Sequence, residues 1–419
     1  FSKCRGILRS VATYPSEQFT KIRKTASADA DACVREVPCE HNKSIEKDGI
    51  MKLKLSIASL SLVAIAFCSV NAFAAAGAIY TLSNSSTGNA VLVFSRSADG
   101  QISPAGTVST GGLGSGGGLG NQGAIAIDAN NTFLFAVNAG SDDISAFRIE
   151  ENSLRLAGVT ASGGKHPISL TVSRGILYVL NNGAATGGSD TIAGFAVANN
   201  GRLTPIVSGL PLSGTSVGPA QIAFNNDGNL LLVAEKATNS LDLFSVDDDG
   251  VAIGPTVVPS AGQTPFGFAF GKRNEVFVSD AFGGAANAGA VTSYLVSTSQ
   301  NLKTISNAVP DKQSAPCWVV LTSDGRFAYT TNTGSGNVSG YAVGFSGKLK
   351  LLNADGVTAS TGTGSKPLDA AISNDAKYLY VLTPGSSNIQ GFVIALDGSL
   401  TPLSQAAGIP SSASGLIAR

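Results

Sequence analysis

Histidine is nearly absent: the 419 residues hold two, His41 and His166, beside one methionine, one tryptophan and five cysteines. So few imidazoles leave little from which to build a transition-metal site, and neither a metal nor any other cofactor is expected. Charge is scarce as well, at 13% of residues. From Ala75 onward there are 17 basic and 21 acidic side chains and no basic stripe, which argues against a nucleic-acid partner. Three of the cysteines fall within the first fifty residues. After Ala75 only Cys317 remains, so that region closes no disulfide on itself. The longest apolar run, LSIASLSLVAIAFCSV, is too short and too quickly followed by polar sequence for a membrane anchor.

What the chain has in quantity is glycine, 50 residues, and apolar side chains, 43%. That balance suits a many-stranded all-β protein with tight turns. Residues 1–50 do not share it and read as an upstream extension outside the native protein. Their Cys33-x5-Cys39-x-His41 pattern lacks the second half-site that a zinc site needs. Residues 51–74 have the layout of a signal peptide: Lys52 and Lys54, the apolar run, then Ala72-Phe73-Ala74 as a small-x-small cleavage site. Residues 75–419 are accordingly expected to be one exported domain, periplasmic or secreted, monomeric and without a membrane span once the signal is cleaved.

Within that domain a unit recurs. Pro167, Pro219, Pro265, Pro316 and Pro367 share one position, with Gln122 in the earliest copy, at spacings of 45, 52, 46, 51 and 51 residues. Each copy holds four short strands, the pattern of a propeller blade. The first strand carries large apolar residues three and five places after the proline, such as Ile222/Phe224 and Val319/Leu321. The second is an apolar ladder such as LLLVA or YLYVL, and the third ends on an aromatic, such as Phe244 or Tyr341. The fourth is weaker, as expected of an outer edge. Six complete units leave a front fragment with no first strand and a terminal stretch, Pro410–Ala418, that begins like one. Joining them predicts a seven-bladed β-propeller, four antiparallel strands per blade, with one blade closed by both termini.

Turns between first and second and between third and fourth strands are short and built on Asp, Asn and Gly. The other connections are longer and share the opposite face, where a site is expected over the central channel. Three familiar motifs fail on context. Gly112-x-Gly114-x-x-Gly117 and Gly214-x-Ser216-x-Gly218 lack a following helix. Asp247-Asp248-Asp249-Gly250 sits where every copy has a hairpin turn, so a solvated tip explains it better than calcium.

Two rings are more informative. The residue ending the second strand is polar in all seven units: Ser83, Asn138, Asn181, Glu235, Asp280, Asn332 and Thr383. Short side chains there can bond their own turn, but Glu235 is longer and is expected to reach toward the channel. Two places after the proline position, most residues are small, while Gln221, Trp318 and Asp369 bring hydrogen-bonding groups and an aromatic wall. Glu235 with Asp369 or Asp280 would form a carboxylate pair able to move protons. His166 is a second candidate acid/base, Lys236 supplies attraction for an anionic ligand, and Cys317 reads as packing.

A proline-led strand, a Tyr-Val-x-Asn strand and a glycine-rich bend, as in PAQIAF, TPFGFAF, APCWVV and YTTNTGSGNVSGY, resemble the lactonase family of seven-bladed propellers. That family includes 6-phosphogluconolactonase-type and carboxymuconate-cyclising enzymes, and the likeness covers about 77–418, closest to a secreted bacterial branch. The resemblance implies catalytic residues at a Gly-Pro-Arg-His segment and a following Asn-Glu. Here these read Gly218-Pro219-Ala220-Gln221 and Ala234-Glu235, so the carboxylate stays and the Arg and His are gone, while His166-Pro167 preserves a His-Pro start. Without the arginine a sugar-phosphate substrate is disfavoured. Two readings follow. One is a metal-independent lactone hydrolase or cycloisomerase acting on a small molecule at the channel mouth, with Glu235, His166 and Asp369 as its catalytic residues. Gln221, Trp318, Asp280, Asn138, Asn181, Asn332 and Lys236 would bind its substrate. The other is a non-catalytic propeller that holds a ligand or a protein partner in the cell envelope.

Overall fold

A computed structural model of the chain describes residues 76–151, 153–297 and 300–419. The sequence-predicted extension, the signal segment and the Cys33–His41 pattern lie outside the described residues.

The described chain forms seven antiparallel sheets of four or five strands, one per blade. Blade 1 comprises 77–109 and takes its inner strand, Ser414–Ala418, from the other end of the chain. Blades 2 to 7 follow in order at 125–161, 167–211, 219–259, 265–310, 316–360 and 370–407. The expected closure is present: Thr81 pairs with Leu416 and Tyr80 with Ile417. The inner strands open at the proline positions, for example Pro219–Phe224 and Pro316–Leu321. Four of them slip register just after the proline, so the residue two places on is re-aimed relative to its partner strand.

The core lies between blades. The aromatic near the end of each third strand, such as Phe94, Phe147, Phe244, Tyr341 and Phe392, is at most 3% exposed. Second-strand tyrosines add a polar tie. Tyr178, Tyr329 and Tyr380 donate their hydroxyls to the carbonyls of Gly250, Gly398 and Gly100, each in the hairpin of the next blade. A phenol suits this place, because the ring fills the inter-blade layer while its tip satisfies a turn carbonyl.

The outer strands carry the weakest sequence signal but are not short. They are among the longest, eight or nine residues in Leu154–Ala161, Leu203–Pro211 and Leu302–Pro310. Their outward residues are exposed and mix polar side chains with scattered apolar ones such as Leu156, Val159, Ile253 and Val257, which weakens the alternation without shortening the ladder. Blade 6 is the exception: its outer edge is split into Leu349–Leu351 and Ala359–Ser360.

Candidate functional site

The polar residues that end the second strands are buried, none more than 8% exposed. They work mostly within their own blades. Asn138 donates to Asp143 and Ser145, and Asn332 donates to Asn337 and Ser339. The Thr383 hydroxyl bonds Asn388, and Thr292 donates to Asp280. In three blades the preceding loop is clamped on top. A side chain at Gly112, Gly164 or Gly262 would collide with Asn138, Asn181 or Asp280 respectively. Asn181 also donates weakly to the Ser162 carbonyl at 3.4 Å. These side chains tie the entering loop to the sheet, a reach beyond the local turn expected of them.

Glu235 belongs to the same system. It was expected to reach the channel, and it points instead into the loops that flank its strand, one arriving from blade 3 and one within blade 4. Its carboxylate accepts the Ser213 hydroxyl at 2.5 Å, the Ser213 amide at 3.2 Å and the Thr238 hydroxyl at 2.6 Å. The extra methylene carries it to Ser213, at the end of blade 3, because Asp242 on the neighbouring strand already takes that amide at 2.9 Å. Burial, then the hydrogen bond and charge of Glu235, push the Asp242 carboxyl up to about 8. One proton shared between them is the state that relieves the like charges. The pairing of Glu235 with Asp369 or Asp280 is not formed. Asp280 is likewise raised to about 8 by burial.

The central channel is occupied by the chain itself. Residues Gly120–Gly123 lead into blade 2, whose inner strand begins at Ile125, and their hydrogen bonds span the ring. The Gln122 side-chain amide donates to the Val319 carbonyl at 3.0 Å and accepts the Val319 amide at 3.1 Å, while its backbone amide reaches Ala220. Asn121 bonds Ile168, Trp318 and Ser414, Gly120 accepts Lys236 Nζ at 2.7 Å, and Gly123 donates to Asp369 at 3.4 Å. One short segment thus bonds blades 1, 3, 4, 6 and 7. Blade 5 makes room for it: a methyl group at Gly267 would lie 2.1 Å from Gln122 Oε1 and 2.5 Å from the Cys317 carbonyl oxygen.

The residues expected to line an open mouth therefore hold this plug or the ring. Trp318 donates its indole N–H to Asn121. Gln221 clamps the next inner strand, donating to Phe268 O at 3.0 Å and accepting Phe268 N at 2.6 Å. Burial raises Asp369 to about 7, and the amides of Gly123, Ala370 and Leu416 pull it back. Lys236 stacks 4.8 Å from the Phe266 ring centroid, and burial lowers its ammonium to about 8. Cys317 is buried, its thiol pushed up to about 12, which fits packing.

His166 is placed differently. It lines a cavity of about 520 Å³ on the loop-rich face, off the axis, with Ser86, Ser115, Asp142, Lys165 and Thr186. The residue before each proline takes a left-handed backbone: φ is 53° at His166, 60° at Gly218, 54° at Thr264, 54° at Ala315 and 49° at Lys366. The scaffold thus fixes the backbone here and leaves the side chain free to vary. Asp142 holds that backbone, accepting the His166 amide at 2.7 Å, as Asn239 does for Thr264 at 2.6 Å. Asp142 also pairs with Lys165 at 2.8 Å. Partial burial opposes ionisation of Asp142, but the His166 amide and Lys165 hold its carboxyl below the usual range. The imidazole borders the cavity beside an ammonium and three hydroxyls, a set able to move a proton and steady an oxyanion. No recorded hydrogen bond or ion pair joins His166, Glu235 and Asp369. Sequence reasoning found His166 and missed Lys165, Asp142, Ser86, Ser115 and Thr186. The signal for Asp142 was its match in repeat position to Asn239.

The family model described as "Lactonase, 7-bladed beta-propeller" matches residues 73–213 and 169–270. Among solved structures, a periplasmic gluconolactonase from Pseudomonas aeruginosa superposes with a TM-score of 0.65 at 17% identity, covering 81% of this chain and 99% of that one. A protein from Lactobacillus plantarum gives 0.66 at 16%, covering 82% and 99%. A candidate 6-phosphogluconolactonase from Bacteroides fragilis gives 0.61 at 18%, covering 82% and 98%. At these identities the likeness is one of fold. No curated protein sequence matches.

Proposed function

The chain belongs to the lactonase family of seven-bladed β-propellers, and from that premise we propose that it is an exported lactone hydrolase or cycloisomerase acting in the His166 cleft. The observation that carries the reading is His166 itself, a half-buried imidazole bordering a 520 Å³ cavity at a position whose side chain the scaffold does not use. In lactone opening, His166 takes a proton from water as its oxygen bonds the carbonyl carbon. The bond to the ring oxygen then breaks, and that oxygen leaves with the proton returned from the imidazolium. Lys165 faces the negative charge that develops on the carbonyl oxygen, and the cleft hydroxyls orient the ring. Export is supported by the Lys52–Ala74 signal pattern and fits a structural likeness to a periplasmic gluconolactonase.

The test is turnover of a panel of neutral and anionic lactones by the full chain, His166→Asn and Glu235→Gln. Turnover lost in His166→Asn and kept in Glu235→Gln supports the assignment, and turnover kept in both overturns it. A second reading, a propeller that binds a small ligand without turning it over, is favoured by one observation: the plugged axis and the engaged Glu235 remove the catalytic carboxylate the resemblance implied. Saturable binding with no turnover on any lactone would establish it.

A further inference from the structure

The face opposite the cleft carries the short turns, and the repeat provides its own control. The second residue of the hairpin between third and fourth strands is Ala98, Glu151, Asn199 and Asp248 in blades 1 to 4, then Phe345 and Leu396 in blades 6 and 7. Both apolar tips are 86% exposed, the most exposed large apolar side chains described. Each is propped outward by an arginine of the preceding blade. The Arg273 guanidinium lies 4.6 Å from the Phe345 ring centroid, and Arg326 Nη1 donates to the Leu396 carbonyl at 3.2 Å. Apolar residues at solvent-facing tips gain nothing for the fold, whose hairpins form equally well with Asp or Asn.

Charge on this face is also divided. On this face the turns and strand starts of blades 5 to 7 carry the exposed Lys272, Lys303, Lys348, Lys350 and Lys377, none in an ion pair among the described residues, against Asp397 beside Leu396 and against Asp324 and Asp375, which pair with Arg326 and Arg96. The same face of blades 2 and 4 carries Glu150, Glu151, Asp227, Asp247, Asp248 and Asp249. Two separated side chains do not make a protein-sized apolar patch. Two apolar tips on a face with unpaired lysines do make the two-part signal, insertion plus charge, that holds a protein at a lipid surface.

We infer that the hairpin tips Phe345 and Leu396, with the lysines of this face, dock this propeller on an anionic phospholipid bilayer. The tips enter the headgroup boundary, the lysines meet lipid phosphate, and the acidic sector of blades 2 and 4 orients the face by repulsion. Docked this way, the His166 cleft faces away from the membrane and stays open to solvent. The inference rests on the surface alone and stands whether or not the cleft is catalytic.

The experiment is co-sedimentation of the full chain with vesicles of phosphatidylcholine alone or mixed with phosphatidylglycerol, at low and high salt. Binding only to the mixed vesicles is expected, falling steeply with salt. Phe345→Ser/Leu396→Ser and Lys348→Glu/Lys350→Glu should each weaken it by more than tenfold, since one lysine near such a surface is worth about fivefold. Glu151→Gln, in the acidic sector, should leave it unchanged or slightly tighter. Circular dichroism melting of every variant should match the parent, because the altered side chains are exposed. Vesicle binding that both double variants retain would show that another part of the chain is responsible and overturn the inference. So would no binding at all, or binding to soluble dextran sulfate that is as tight and indifferent to the tips.

Discussion

At the loop-rich end of blade 3, Asp142 holds the backbone of His166 while the imidazole borders open space. At the same end of blade 4, Glu235 is wholly buried and its carboxylate is taken up by Ser213, Thr238 and Asp242. The two residues lie one blade apart in a repeat built to a single plan, yet one answers to the scaffold and the other does not. What separates them is repeat position. Second strands end inside the layer where loop and sheet must be tied together, so a polar group there is used up by the fold. The residue before the proline stands on a fixed backbone with its side chain outside that layer.

The contrast is easiest to break from the scaffold side. Glu235→Ala should cost about 3 kcal/mol of unfolding free energy in a urea titration, because it strands the Ser213 and Thr238 hydroxyls and removes the hydrogen-bonded partner of buried Asp242. His166→Asn should behave oppositely, shifting stability by less than about 0.5 kcal/mol. It should lower kcat/KM on a responsive lactone about 100-fold, equal to about 2.7 kcal/mol at the transition state.

Smaller effects sharpen the same line. Burial raises Asp280 to about 8 in the fold, above its unfolded value. The unfolded chain therefore releases that proton first, and stability falls as pH rises from about 4 toward 8. Melting temperature should decline across that window and decline less in Asp280→Asn. The smallest effect expected is that of Lys165→Met, whose exposed ammonium pairs with Asp142. Its melting temperature should match the parent, and kcat should fall several-fold with KM little changed, because the ammonium meets charge that develops only in the transition state.

The blade count, the strand order and the closure by both termini were readable because the prolines, the apolar ladders and the third-strand aromatics each follow from local backbone and burial rules. The cleft was readable only through His166. Glu235 misled because its outlet is set by Ser213, 22 residues away across a blade boundary, and no local rule fixes which loop meets a longer side chain. The plug left two traces, Gln122 in place of proline and the glycines before it. Its path across the ring follows from contacts to five other blades, which only the closed ring brings together.

The pairing of Thr81 with Leu416 has a consequence for how the chain is made. These residues are more than three hundred apart in sequence, so the loop that their meeting closes is the costliest in the ring. During synthesis, blade 1 lacks its inner strand until Ser414–Ala418 is released, and the plug has no complete circle to bond. Individual blades can form early, but the finished ring has to wait until Ser414–Ala418 has emerged. A ring that stays open until that strand emerges leaves blade 1 one strand short while the other six can already be complete.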